Sequence, residues 1–254
     1  IKTIQTPVLL AHSSQSEDQI IEYTDIVVET NDMPTASLKR SFLYSWAVQA
    51  FHNMGLTQYL ALFWQSRFEH RYRFFYEELL EFASNRPRSL LGSEYEKTSN
   101  ILESAVNGGG WGVVLPKFGD ILWPTEEATF LTMASQKDKF YAEMSDFLKL
   151  LLSRSDYNLD EGCLSELLTY QNNMIVDPFT QPTVNLDLSY NFHEYFEGIY
   201  DGSPISLEEN RSRLEITPEL IFEGDLHEYS RSIVWYGRKT GKFRHKSVRV
   251  AAAK

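Results

Sequence analysis

One cysteine in 254 residues is the first constraint on what this chain can do. Cys163 alone excludes an internal disulfide, and it excludes an all-cysteine zinc or iron–sulfur site supplied by this chain. A reducing, cytoplasmic setting fits that usage. No run approaches the roughly 18 to 20 consecutive apolar residues that cross a bilayer, and no charged-then-apolar leader opens the chain. Paired histidines at zinc-helix spacing, a G-x-S-x-G elbow and a P-loop are all missing. Basic charge is scarce as well: 24 Lys and Arg face 35 Asp and Glu, a net charge of −11. A phosphate-binding surface carries the opposite balance, which argues against general nucleic-acid affinity. Seven of those cations lie between Arg238 and Lys254, where no carboxylate occurs, so the first 237 residues hold 17 cations against 35 anions.

What is present is a globular composition. At 43% apolar residues the chain can bury a large core, as one big domain or one and a half smaller ones. It begins at Ile1, inside the extended run IKTIQTPVLL, and reads as a piece of a longer polypeptide.

Three regimes follow one another. Ile1–Leu10 and DIVVE (Asp25–Glu29) read as buried strands joined by an acidic stretch, Ser13–Glu22, of a length that suits an α/β crossover. After NDMP the apolar residues recur every three or four positions. Leu43 to Met54, Tyr59 to Trp64 and Phe74 to Phe82 read as three helices, with Gly55 as a left-handed C-cap and Thr57 capping the second. A short helix to about Val106 and the loop NGGGWG come next. Thr125 then caps one long helix running to about Arg154, with Glu126 and Glu127 favoured by its dipole, and another helix spans Asp160 to about Met174. From Thr183 the alternation of Val184, Leu186, Leu188, Tyr190 and Phe192 with polar residues through His193 predicts a half-exposed strand. Leu214 and Ile216 suggest a second strand. Ser232–Tyr236 and Phe243–Val250 suggest a hairpin turning at Gly241. The expected class is α+β: the last strands of a partial (β/α) barrel in residues 1–34, a helical block in 35–180, and a small antiparallel sheet in 181–250.

Candidate site residues follow from that placement. In barrels and open parallel sheets the carboxyl ends of strands carry the active site, so His12 and Ser13 after the first strand and Glu29, Thr30 and Asn31 after the second would share one rim. The bland reading makes His12 the start of a surface loop and Glu29 a helix cap. In WAVQAFHNMGLTQYLALFW (Trp46–Trp64) helical spacing favours core packing for most rings, while Trp46 and His52 are the two to seek on a cavity wall. Without a preceding strand, GGGWG is a mobile loop before it is a phosphate cradle. His193 and Glu197 would not converge on a strand. The hairpin WYGRKTGKFRHKSVRV has the basic and aromatic texture of single-strand nucleic-acid binders, and packs as readily onto an acidic body.

Taken together, VVETNDM, SWAVQAFHNMGLTQYLA, FYEELLEF, FGDILWPTEEATFL and EGDLHEYSRSIVWYGRK resemble the C-terminal part of radical S-adenosylmethionine enzymes that carry an N-terminal cobalamin-binding domain. The resemblance runs over most of the chain. It implies a parent enzyme using a [4Fe–4S] cluster, S-adenosylmethionine and cobalamin, often for methyl transfer to an unactivated carbon. It further implies that the cobalamin and radical domains of the same polypeptide are this region's partners and a small molecule its substrate. The C-x-x-x-C-x-x-C cluster loop has no counterpart here, so no cofactor ligands are carried over. On that reading His12, Glu29, Asn31, Trp46, His52 and Trp111 position substrate or shield the radical, and none is a nucleophile. Two other readings stand beside it: a free-standing α+β module that binds a protein partner through an aromatic groove, and a small acid/base enzyme using His12 and Glu29.

Overall fold

The three- and four-residue apolar spacing after Pro34 does fold as helix. The computed structural model describes residues 1–14, 18, 20–154, 157, 159–179, 183–242, 244–245 and 247–250, the last four by backbone alone. α1 (Thr35–Ala47) runs on into a π-helical turn, Val48–Asn53, in which the Met54 N–H bonds the Gln49 carbonyl five residues back at 3.1 Å. Gly55 follows at φ +86°, a left-handed conformation that costs a residue with a Cβ about 1–2 kcal/mol. α2 (Gln58–Phe68) then begins without the expected side-chain cap, because the Thr57 hydroxyl donates to the Phe51 carbonyl instead. α3 (Tyr72–Ser84) buries Phe75, Tyr76, Leu79, Phe82 and Ala83 as one stripe. α4 (Leu90–Ala105) is capped by the Ser89 hydroxyl, and the Glu143 carboxylate accepts from the N–H groups of Leu90 and Leu91 at 2.6 and 2.8 Å. One helix thereby satisfies the open donors of another.

The long helix expected from Thr125 to Arg154 is two. α5 (Thr125–Ala134) ends at Ser135, and α6 (Lys137–Ser153) restarts after Gln136. Thr132 and Ser135 turn their hydroxyls back onto the Ala128 and Thr132 carbonyls, the competition with the helical ladder that favours an end there. The two also differ in kind: nine of the ten residues of α5 are buried, whereas α6 buries only one stripe, Phe140, Tyr141, Met144, Phe147, Leu148 and Leu151. Pro124 occupies the N-cap position of α5, and Thr125 is its first helical residue. α7 (Glu161–Met174) starts where expected, the Asp160 carboxylate accepting from the Cys163 N–H at 3.0 Å.

The strands depart further from expectation. β1 (Lys2–Pro7) and β2 (Tyr23–Glu29) pair antiparallel, from Lys2 opposite Glu29 to Pro7 opposite Tyr23. They are therefore not successive parallel strands of a barrel. DIVVE is buried on one face only, Val28 being 1% exposed and Val27 53%; a continuous apolar run was the wrong sign of burial on both. Of the acidic connection, residues 15–17 and 19 lie outside the described residues. A two-residue ladder joins β3 (Val113–Val114) to β4 (Leu122–Trp123). β5 (Val184–Tyr190) alternates as predicted but stops early: His193 sits in α8 (Phe192–Tyr200), so it and Glu197 are one helical turn apart after all. β6 (Glu209–Ile216) pairs with β5 and with β7 (Ser247–Val250), all antiparallel. The predicted first arm of the terminal hairpin is helical. α9 (Leu226–Tyr229) leads into a second π-helical turn, Ser230–Trp235, and Gly241 ends a short 3₁₀ turn at φ +70°. Phe243 and the closing AAAK lie outside the described residues.

The fold is thus α+β, a helical block with small antiparallel sheets. A single apolar cluster extends from Trp46 to Val234 and joins the helices to Leu186, Leu188, Leu214 and Ile216 of the C-terminal sheet. The N-terminal hairpin packs through a second, smaller cluster of Val28, Leu102 and Val106, with Phe42 and Trp111 against it. Inside the main core, fully buried Gln171 of α7 stitches the turn between α1 and α2: its Oε1 accepts from the Tyr59 N–H and its Nε2 donates to the Gly55 carbonyl, both at 2.9 Å. Gln171→Leu keeps the volume and strands both backbone groups. It should destabilise the fold by about 2–5 kcal/mol in urea unfolding, and a loss under about 1 kcal/mol would mean that the turn finds other partners.

Candidate functional site

Glu127 brings four distant segments together. It lies in the first turn of α5 with its side chain 3% exposed, where the helix dipole favours a negative charge but water does not reach it. Oε2 is 2.6 Å from His12 Nε2, and Oε1 accepts from Arg238 at 2.6 Å. A carboxylate only accepts, so Nε2 is the protonated nitrogen of His12. Arg238 also donates to Glu126 and to Gln49, each at 3.1 Å. Burial opposes the Arg238 charge, and the hydrogen bond and field of Glu127, followed by Glu126, outweigh it and raise the guanidinium above its ordinary range.

Aromatic rings enclose the imidazole. His12 stacks on Trp235 with centroids 5.1 Å apart and meets Trp123 edge to face at 5.3 Å. Trp123 is fully buried, and its indole N–H has no acceptor among the described residues. His12 itself has φ 62°, unusual for a residue with a Cβ; its N–H bonds the Leu122 carbonyl, while Ser13 accepts from the Leu122 N–H. Gln49 and Trp235 come from the two π-helical turns, local irregularities that recur at functional sites. The result is an imidazole held by a buried carboxylate and two indoles, with its side chain 18% exposed. Such a group can accept or donate one hydrogen bond at its free nitrogen.

The other predicted residues do not gather around it. Glu29 is exposed at the Lys2 end of the β1–β2 ladder, whereas His12 follows Pro7 at the opposite end, so the two do not share a rim. Glu29 accepts from the Thr35 hydroxyl at 2.8 Å, and that bond, followed by the Thr35 N–H, lowers its carboxyl below the ordinary value. Asn31 is exposed in the β2–α1 connection. Trp46 is sealed at 2% exposure with its N–H on Thr129, and belongs to the packed core rather than a cavity wall. Trp111 is half-buried against Phe42, with ring centroids 4.2 Å apart. His52 is half-buried between Tyr72 and Tyr76, its Nδ1 2.9 Å from the Tyr76 hydroxyl.

Glu127, Arg238, Trp123, Trp235 and Gln49 were not among the predicted residues. Two cations of the basic segment turn inward, Arg238 onto Glu126 and Glu127 and Arg244 onto Gln58. Among the described residues no group of three or more His, Cys, Asp or Glu is placed to hold a metal ion. No described helix is long and apolar enough to cross a membrane.

Comparison with known proteins adds a second line of observation. No family model matches the chain. It is 25% identical over 199 residues to the cobalamin-dependent radical SAM methyltransferase TokK of Streptomyces tokunonensis, an alignment covering 71% of this chain and 28% of that protein. It is 25% identical over 186 residues to the 2-(S-pantetheinyl)-carbapenam-3-carboxylate methyltransferase of Streptantibioticus cattleyicolor, covering 68% of this chain and 27% of that one. The chain spans little more than a quarter of the length of these curated relatives.

Two consequences are measurable. Glu127→Gln removes the charge that holds both His12 and Arg238; with Arg238 one-third exposed and screened by water, the cost should be about 1–3 kcal/mol in urea unfolding. Glu126→Gln, at a longer contact, should cost under about 1 kcal/mol, and the reverse ranking would displace Glu127 from the centre. His52 carries a pH effect of definite sign. Burial, followed by the Arg244 charge, lowers its pKa below 6.5, so on acidification the unfolded chain takes up this proton first. Its contribution is complete above about pH 6.5 and declines as the pH falls from there towards the folded value. His52→Gln should flatten the stability–pH curve in that window, and an unchanged slope would place the titration elsewhere.

Proposed function

We propose that this chain is the C-terminal, substrate-shaping portion of a cobalamin-dependent radical S-adenosylmethionine methyltransferase. The observation that carries the reading is the alignment of some 70% of the chain with about a quarter of each of two methyltransferases, one of them cobalamin-dependent and radical. The cluster itself does not fit residues of this chain. Cys163 is buried, its N–H is used at the start of α7, and burial followed by Asp160 and Glu166 pushes its thiol up to about 11, away from the thiolate a cluster needs. The remainder of such an enzyme would supply cluster, S-adenosylmethionine and cobalamin, which perform the radical and methyl-transfer chemistry.

The part left to this chain is orientation and exclusion of water. His12 is the residue best built for it: Glu127 fixes its tautomer and the indoles of Trp123 and Trp235 fix its plane, so its free nitrogen can meet a polar group of the substrate at constant geometry. Glu29, Asn31, His52 and Trp111 would contribute only where the rest of the polypeptide covers them.

The whole gene product tests this reading. It should contain a C-x-x-x-C-x-x-C loop upstream of Ile1 and, purified anaerobically, carry both cluster and cobalamin. His12→Ala should then consume S-adenosylmethionine in excess of methyl groups transferred, because a poorly held substrate lets the radical escape. A gene product with no such loop and no cofactor would sink the proposal and leave the free-standing interaction module.

A further inference from the structure

We propose that the open edge of β2 takes up a third strand, with a basic residue between two apolar ones on its outer face, supplied by the part of the same polypeptide that lies outside this chain. The source of that strand rests on the reading above; the open edge does not.

The ladder fixes which backbone groups are open. The Val8 N–H bonds the Glu22 carbonyl at 2.8 Å, and antiparallel pairs alternate between exchanging both bonds and exchanging none. Thr24 lies opposite Thr6 and Ile26 opposite Ile4, so these two direct their N–H and C=O groups at β1, while Tyr23, Asp25 and Val27 turn theirs to the far side. No strand pairs with that side among the described residues, and no hydrogen bond outside the ladder reaches the backbone of these three.

The two edges of the hairpin differ. β1 is closed twice over. Pro7 has no N–H to offer at its outward position, and the glycine loop lies along the strand: the Thr6 hydroxyl donates to the Gly109 carbonyl at 2.8 Å, and a Cβ on Gly108 would sit 3.0 Å from the Gln5 carbonyl. β2 has neither device. Its seven residues include no proline or glycine, and Tyr23, Thr24, Asp25 and Val27 are exposed. Folded proteins cover or blunt an edge of this kind, because it pairs with any strand that reaches it. The apolar surface around it is uncovered as well: eight of the fifteen large apolar side chains exposed among the described residues lie between Ile1 and Met33, including Val8, Ile21, Tyr23 and Val27.

Charge selects the occupant. Residues 1–34 hold six carboxylates and one lysine, and Asp25 stands between Tyr23 and Val27 on the face opposite buried Val28. A second copy would bring a matching set of carboxylates to the edge, and like charges across a ladder destabilise it. A strand with Lys or Arg beside Asp25 and apolar residues beside Tyr23 and Val27 answers both needs. The aligned region is 28% and 27% of the two relatives, so most of such a polypeptide lies outside this chain and can supply it.

The test is amide hydrogen exchange of the whole gene product, read to single residues by mass spectrometry, with the Thr24 and Ile26 amides, held by β1, as internal reference. The Asp25 and Val27 amides should exchange at least about a hundredfold slower than in an unstructured peptide, at every protein concentration. Asp25→Lys leaves each backbone donor in place at an exposed position and should speed Val27 exchange at least about tenfold, with the reference amides unchanged. Val27→Pro, whose ring removes no bond to β1, should do the same at Asp25. Free-peptide rates at Asp25 and Val27, protection that disappears on dilution, or full protection in both variants would overturn the proposal. A gene product that binds cluster and cobalamin yet exchanges these amides fast loses the third strand alone; one with a protected edge and no cofactor loses the methyltransferase reading alone.

Discussion

A helix with no solvent face has to be covered on every side, and α5 is that helix. Only Glu126 of its ten residues escapes burial, so the structure must bring apolar surface and polar partners to it from all directions. The π-helical turn after α1 and the one after α9 both pack on it, and α4 and α6 close further sides. Its single buried charge then dictates what else must arrive. Glu127 requires donors wherever water is excluded, and they come from near opposite ends of the chain, His12 and Arg238.

The same requirement runs deeper into α5. Thr129, fully buried, accepts from the Trp46 indole at 3.1 Å and donates to Glu94 at 3.1 Å, and Glu94 in turn is paired with Lys97 nearer the surface. The large ring that looked most like a pocket wall is therefore a polar link between α1 and α5. Its nitrogen is satisfied, whereas the nitrogen of Trp123 beside His12 is not. Both rings belong to the main apolar cluster, so burial does not tell them apart, and the open donor beside His12 does. A buried unpaired donor is costly in a structural role, and this contrast is what separates packing from site here.

Much of the fold was legible in the sequence because one-sided helices announce themselves. α3 and α7 fall where apolar spacing puts them, and the Gly55 turn has the left-handed backbone its residue type allows. The failures among the strands share one cause: short apolar runs carry no period long enough to distinguish strand from helix. SIVW reads as strand and folds as π-helix; Phe192 and His193 continue an alternation yet open α8. DIVVE reads as buried on both faces, and its antiparallel partner leaves Val27 in water. With that pairing the barrel rim dissolves, and Glu29 and His12 part to opposite ends of a hairpin.

The site was half legible, for a reason that can be stated in angles. His12 is a candidate by its place after a strand, although the strand belongs to a different kind of sheet. Its partner is harder to see, because the helix dipole accounts for Glu126 and Glu127 alike. Adjacent helical residues point about 100° apart, so two successive glutamates can both face water only if the helix has a broad polar side. The segment that follows, ATFLTMA, has none: its sole polar residues are two uncharged threonines, Thr129 and Thr132, which share one narrow stripe. A helix so composed is buried all round, and one of any two neighbouring carboxylates at its start must then enter the protein. That inference needed only the residues from Thr125 to Ala134, and it points to a buried anion in search of cations, which the basic segment beginning at Arg238 supplies.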